Sequence, residues 1–140
     1  MKVIFLDLDG PICYLGQPQK DAIYCLTELV RLTGAKIVIT SSHRIGKTLD
    51  QMTSKLSLWT GFPSESVIGL LDVIYTQNGY EISRGAEIEI YLRNHPEIEN
   101  YVILDDLPIV LLSQVDNFVQ ITSSQGITGE NFRKALRILG

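Results

Sequence analysis

Apolar residues along this chain fall into short unbroken runs separated by longer stretches of helical spacing. Val3, Ile4, Phe5 and Leu6 form one such run, the pattern of a strand buried on both faces of a parallel sheet. Turn formers follow at Gly10, Pro11, Gly16 and Pro18. From about Pro18 to Thr33 the residues Ala22, Ile23, Leu26, Leu29, Val30 and Leu32 recur at helical spacing. This predicts a first helix, with Pro18 tolerated in its first turn and Gly34 as its stop. Ile37, Val38 and Ile39 make a second buried strand ending in Thr40, Ser41 and Ser42, and a helix is expected from about Gly46 to Leu56.

Val67 to Gly69 is a short strand candidate. The apolar residues that follow, up to Tyr75, and then Gln77, Asn78 and Gly79 suggest a hairpin, because Asn-Gly favours a turn with both central φ angles positive. After Gly85, Ile88, Tyr91 and Leu92 mark a helix that stops near Pro96, and Val102 to Leu104 is a further buried strand ending at Asp105 and Asp106. Phe118 to Ile121 is the last strand, and Thr128 caps a C-terminal helix carrying Phe132, Ala135, Leu136 and Leu139. Strands and helices thus alternate, which implies an α/β fold with a parallel sheet covered by helices on both faces. Ligands of such folds bind at the carboxyl ends of the strands, near a switch in strand order.

Length adds a boundary: 140 residues, 45% of them apolar, suit one domain spanning residues 1–140 with a sizeable core. Twelve Lys and Arg against sixteen Asp and Glu leave a net charge of −4, which argues against a broad basic face for nucleic acid. A local basic patch from Arg44, Lys47 and Arg84 stays open. Asp7 and Asp9 interrupt the apolar start, so no signal peptide or membrane span is read, and a cytoplasmic location is expected. Cys13 and Cys25 lack metal-ligand spacing and are expected to be two reduced thiols.

Three of the buried strands end in polar residues: Asp7-Leu8-Asp9-Gly10, Thr40-Ser41-Ser42 and Asp105-Asp106. The expectation is that all four carboxylates converge. Like charges crowded at strand ends repel one another unless a cation or shared proton intervenes, so a hard, oxygen-loving ion such as Mg²⁺ is the simplest counterweight.

These residues resemble a family. FLDLDG after a buried strand is similar to the first motif of the haloacid dehalogenase-like (HAD) superfamily, ITSS to its second and VILDD to its fourth, with Arg84-Gly85 at the family's basic position. More narrowly, TSSHR, RGAEIEIYL and GIT resemble the small HAD domain of multidomain RNA-repair proteins. The resemblance implies a Rossmann-like three-layer sandwich and phosphatase chemistry. Asp7 would be the nucleophile that forms an aspartyl-phosphate, and Asp9 the acid and then base. An acid at that second position is similar to the phosphatase branch.

The same resemblance implies a Mg²⁺ site made by Asp7, the backbone carbonyl of Asp9 and Asp106, with Asp105 behind them. Gly10 would bring backbone close to the phosphate. Ser41, or else Thr40, would donate a hydroxyl to it, with Ser42 next in line. Arg84 takes the place of the commoner Lys, keeping the charge but presenting a planar fork. His43 and Arg44 follow the hydroxyls and would face either substrate or solvent, while His95 beside Pro96 reads as structural.

Seven residues, Pro11 to Gln17, separate the first motif from the first helix, and Gly69 to Arg84 holds at most a hairpin, so no cap domain is expected. An open site suits a phosphate carried on something large, a nucleic-acid end or a phosphoprotein. Two rival readings are a non-catalytic HAD module that binds a phosphorylated partner and a phosphotransferase to an acceptor other than water. A CheY-like receiver is disfavoured because its phosphorylated Asp lies on a middle strand. The natural substrate and the oligomeric state are not legible.

Overall fold

The computed structural model describes all residues from 1 to 140. Its elements are β1 (Lys2–Leu6), β2 (Cys13–Tyr14), β3 (Gln17–Pro18), α1 (Lys20–Thr33), β4 (Lys36–Ile39), α2 (Leu49–Ser57), β5 (Val67–Leu70), α3 (Arg84–Asn94), β6 (Asn100–Asp105), β7 (Phe118–Gln120) and α4 (Gly129–Leu139). Five strands form one parallel sheet in the order β5-β4-β1-β6-β7, so the chain builds outward on one side of β1 and then crosses to the other. That reversal puts a switch point at the carboxyl end of β1. This is the α/β, Rossmann-like architecture expected.

Alternation along β1 explains both layers. Ile4 and Leu6 join Ile37, Ile39, Val102 and Leu104 in the larger core under α1, α2 and α4, whereas Val3 and Phe5 join Val38 and Ile103 in a smaller core with Ile88 of α3. Phe5 sits edge-on to Tyr91 and Tyr101, with ring centroids 5.7 and 5.8 Å away. Helix α1 buries Ala22, Ile23, Leu26 and Leu29 and ends at Gly34, whose φ of +70° lets its N–H return to the Val30 carbonyl.

Four local expectations need correction. Pro18 lies in β3, not in the first turn of α1. It pairs with Cys13 across a two-residue turn in which Leu15 and Gly16 both have positive φ, leaving Gln19 as the N-cap. The second helix starts at Leu49 and not near Gly46, because Thr48 and Gln51 form a reciprocal capping box there. Near Asn78-Gly79 a turn does form, but only Gly79 has positive φ and pairing shrinks to one bridge between Tyr75 and Glu81. The turn closes from Gly79 N–H to the Thr76 carbonyl, so Gln77 and Asn78 are its centre. The last strand ends at Gln120, one residue before Ile121. Neither interval holds a cap domain: the first is the β2–β3 hairpin and the second this turn. No helix is long and apolar enough to cross a membrane.

Candidate active site

Asp7 is the first residue beyond β1, and its N–H still bonds to Leu104 O of β6, while Thr40 N–H bonds to Leu6 O. The sheet register therefore delivers Asp7, Thr40 and Asp105 side by side. The loop after β6 adds Asp106. One carboxylate oxygen each from Asp7, Asp105 and Asp106 lie within 4.8 Å of one another.

Such crowding is visible in the acids' titration. Burial, then the charge of Asp105, push the Asp7 carboxyl up to about 8, although Arg84 pulls the other way. Burial likewise raises Asp105 above the ordinary carboxyl range, against the hydrogen bonds it accepts from Leu107 N–H and Arg84. A set of three oxygen donors, two of them buried and disfavoured as anions, fits a small hard divalent cation such as Mg²⁺.

Gly10 makes this approach possible. Its φ is +104°, and a Cβ there would lie 2.8 Å from Asp106 Cβ. Gly85 does the same for the basic residue: a Cβ would lie 2.8 Å from Leu111 N, and Gln114 Nε2 donates to the Gly85 carbonyl. This contact seats the start of α3, capped by Ser83, so that Arg84 Nη1 reaches Asp105 Oδ2 at 2.7 Å and Asp7 Oδ1 at 3.7 Å.

The fourth carboxylate, that of Asp9, lies outside this 4.8 Å group. Asp9 is largely exposed, and its Oδ2 lies 2.7 Å from His43 Nε2 while its Oδ1 accepts from Cys13 Sγ at 3.2 Å. Burial opposes the anion, yet the hydrogen bonds from Cys13 and His43, with the charge of Lys55 beyond them, outweigh it and hold Asp9 below the usual carboxyl range. Asp9 thus faces the β2–β3 hairpin and the hydroxyl turn.

After β4, Thr40 and Ser41 are both buried and Ser42 is exposed at the start of a short 3₁₀ turn. Ser41 Oγ accepts the His43 N–H at 3.3 Å and keeps its own hydrogen for another acceptor. Thr40 Oγ1 is buried without any partner.

Arg44 requires a correction, because its guanidinium is buried and spent within the protein. Nε donates to Leu71 O, Nη1 to the carbonyls of Thr40 and Ser41, and Nη2 to Glu87 Oε1 at 2.8 Å and Glu81 Oε1 at 3.4 Å. It braces the hydroxyl turn against α3 instead of facing a substrate. Lys47 is exposed, and His95 stacks on Tyr91 with ring centroids 3.9 Å apart. Cys13 and Cys25 are both unpaired thiols.

The parallel sheet, the acidic residues after its first and fourth long strands and the basic residue opening α3 define a HAD-like protein. A family model described as the HAD domain in Swiss Army Knife RNA repair proteins matches residues 3–132, and the chain belongs to that family. No curated protein matches it.

Sequence reasoning missed His43 as the partner of Asp9, Cys13 as a second donor to it, Glu87 as the buried counterion of Arg44 and Gln114 as the clamp on Gly85. The TSSHR run carried the one available signal, since it puts an imidazole two residues beyond a serine at a strand end.

Proposed function

We propose that this chain is a Mg²⁺-dependent phosphomonoester hydrolase working through an aspartyl-phosphate on Asp7. The observation that carries this reading is Asp7 itself, a buried carboxylate at a strand end with two further acids within 4.8 Å and Arg84 at 3.7 Å. An anion there is costly without a cation and useful with one. Asp7 and Asp106, with the backbone carbonyl of Asp9, would hold Mg²⁺. The bound ion would neutralise the clustered charge and let an anionic phosphate approach an anionic nucleophile.

The chain's own residues account for the rest. An oxygen of Asp7 attacks phosphorus in line, and the bond from phosphorus to the leaving oxygen breaks while Asp9, protonated once the anionic phosphate is bound beside it, gives that oxygen a proton. Asp9, now a carboxylate, takes a proton from a water that attacks the phosphorus, and inorganic phosphate leaves with Asp7 restored. Ser41 Oγ–H and the Arg84 guanidinium would donate to the phosphoryl oxygens.

The open rim admits a phosphate on a large carrier, and the family's description as a domain of RNA repair proteins favours a nucleic-acid end over a phosphoprotein. Two unpaired thiols suit a reducing, cytoplasmic setting. Purified protein with Mg²⁺ should hydrolyse an aryl phosphate, and Asp7→Asn should abolish turnover; full turnover by Asp7→Asn overturns the reading. Comparing oligonucleotide 3′- and 5′-phosphates, nucleotides, phosphopeptides and sugar phosphates then identifies the carrier.

A further inference from the structure

We infer that His43 is the positioning residue for Asp9, holding that carboxylate on the leaving-group side of the site. The inference rests on the proposed hydrolase reading and adds a residue to it. His43 Nε2 lies 2.7 Å from Asp9 Oδ2, within ordinary hydrogen-bond length, although both side chains are substantially exposed. An exposed acid three residues past a strand end has many rotamers open to it. Holding one needs partners on independent elements, and Asp9 has two. Cys13 Sγ–H donates from β2 to Asp9 Oδ1 at 3.2 Å. His43 donates from the turn after β4. The His43 tautomer with its hydrogen on Nε2 donates it to Asp9 Oδ2.

The same turn ties His43 to the phosphate side. Its backbone N–H bonds to Ser41 Oγ, and Arg44 beside it pins the carbonyls of Thr40 and Ser41. One short segment thus fixes a candidate phosphate donor and, through the imidazole, the candidate acid. Beside the pair opens a recess of about 130 Å³ walled also by Lys55 and Trp59, which leaves room for a leaving group next to Asp9.

A residue that acts by placing a general acid matters most when the leaving group needs its proton. Turnover of para-nitrophenyl phosphate and phenyl phosphate by the wild type, His43→Ala, His43→Gln and Asp9→Asn separates the possibilities. General acid catalysis typically contributes about 10²–10⁴-fold, so His43→Ala should lower kcat about 10-fold or more on phenyl phosphate and under about 3-fold on para-nitrophenyl phosphate, with little change in KM. His43→Gln, which keeps a terminal N–H donor, should recover most of the loss, and Asp9→Asn combined with His43→Ala should be no slower than Asp9→Asn alone.

A second readout needs no turnover. In metal-free protein the ¹⁵N spectrum should show His43 protonated at Nε2 in the wild type and a changed tautomer balance in Asp9→Asn. Equal losses by His43→Ala on both substrates, no loss on either, or a spectrum indifferent to Asp9 would overturn the inference. If Asp9→Asn itself shows no dependence on the leaving group, the acid assignment of Asp9 has failed, and the role given to His43 fails with it. A steep Asp9→Asn beside a flat His43→Ala rejects the role of His43 alone.

Discussion

A single nitrogen of Arg84 serves both buried acids: Nη1 lies 2.7 Å from Asp105 Oδ2 and 3.7 Å from Asp7 Oδ1. Nε and Nη2 make no hydrogen bond to the protein, which leaves two donors of the fork for a phosphoryl oxygen. The acids' claim on Arg84 is therefore separable from the phosphate's.

Arg84→Lys should test that separation. One ammonium can replace Nη1 between Asp105 and Asp7, so stability in urea should change by less than about 1 kcal/mol. The lost fork donors should show in catalysis instead, because a hydrogen bond to a charged group is worth about 1.5–3 kcal/mol, or about 10- to 100-fold in kcat/KM. Arg84→Met should lower both.

Stability of the metal-free protein should fall as pH rises. Asp7 titrates near 8 in the fold against 3.8 as its ordinary value, and Asp105 is raised in the same direction. The folded state therefore holds extra protons across that window. The contribution of Asp7 is fully present below about 3.8 and is lost as pH climbs through about 8. Melting curves in EDTA should show Tm dropping by several degrees between the two ends, and Asp7→Asn should flatten the slope. Added Mg²⁺ should raise Tm more at pH 8 than at pH 5.5.

How legible this site was depended on range. The alternation of buried runs and helical stretches carries the α/β class, because a strand covered on both faces has no polar positions to confuse the pattern. The expected convergence of Asp9 with Asp7 rested on both standing just past the same strand end, but β1 stops at Leu6, and beyond it the turn directs each side chain separately. Arg44 was unreadable for a different reason: its counterion Glu87 lies 43 residues away, and nothing in TSSHR distinguishes a guanidinium in solvent from one between two elements. Pro18 fits a helix start and an edge strand equally well, since both positions dispense with an N–H.

Gly10→Ala should weaken the metal site more than the fold. At φ +104° an alanine is strained, and its Cβ would press on Asp106 Cβ and Cγ at 2.8 and 2.9 Å. A cost of about 1–3 kcal/mol in stability is expected, together with a shallower Tm response to Mg²⁺ that resembles Asp106→Asn. An unchanged Mg²⁺ response would mean that Asp106 is free to move aside.

Replacing Arg44 should cost stability before it touches substrate binding. Arg44→Met leaves Glu87 buried and unpaired, which should destabilise the fold by about 3–5 kcal/mol in urea unfolding. Arg44→Met combined with Glu87→Leu removes both charges and should recover part of that loss, because a buried ion pair contributes little over apolar packing. A phosphate ligand would behave differently, raising KM with the fold intact.

The two hydroxyls after β4 can be told apart by what each now lacks. Thr40 Oγ1 is buried with no partner, and a buried unsatisfied hydroxyl costs about 1–3 kcal/mol, so Thr40→Val should leave the substrate-free protein as stable or more stable. Ser41 Oγ already accepts the His43 N–H and has a hydrogen to give. Ser41→Ala should therefore lower kcat/KM about 10-fold at little cost in Tm, the value of roughly one hydrogen bond, while Thr40→Val changes turnover less. The reverse ranking, with Thr40→Val slow and Ser41→Ala near wild type, would mean that the phosphate completes the unpartnered Thr40 hydroxyl and that Ser41 is only the cap of its turn.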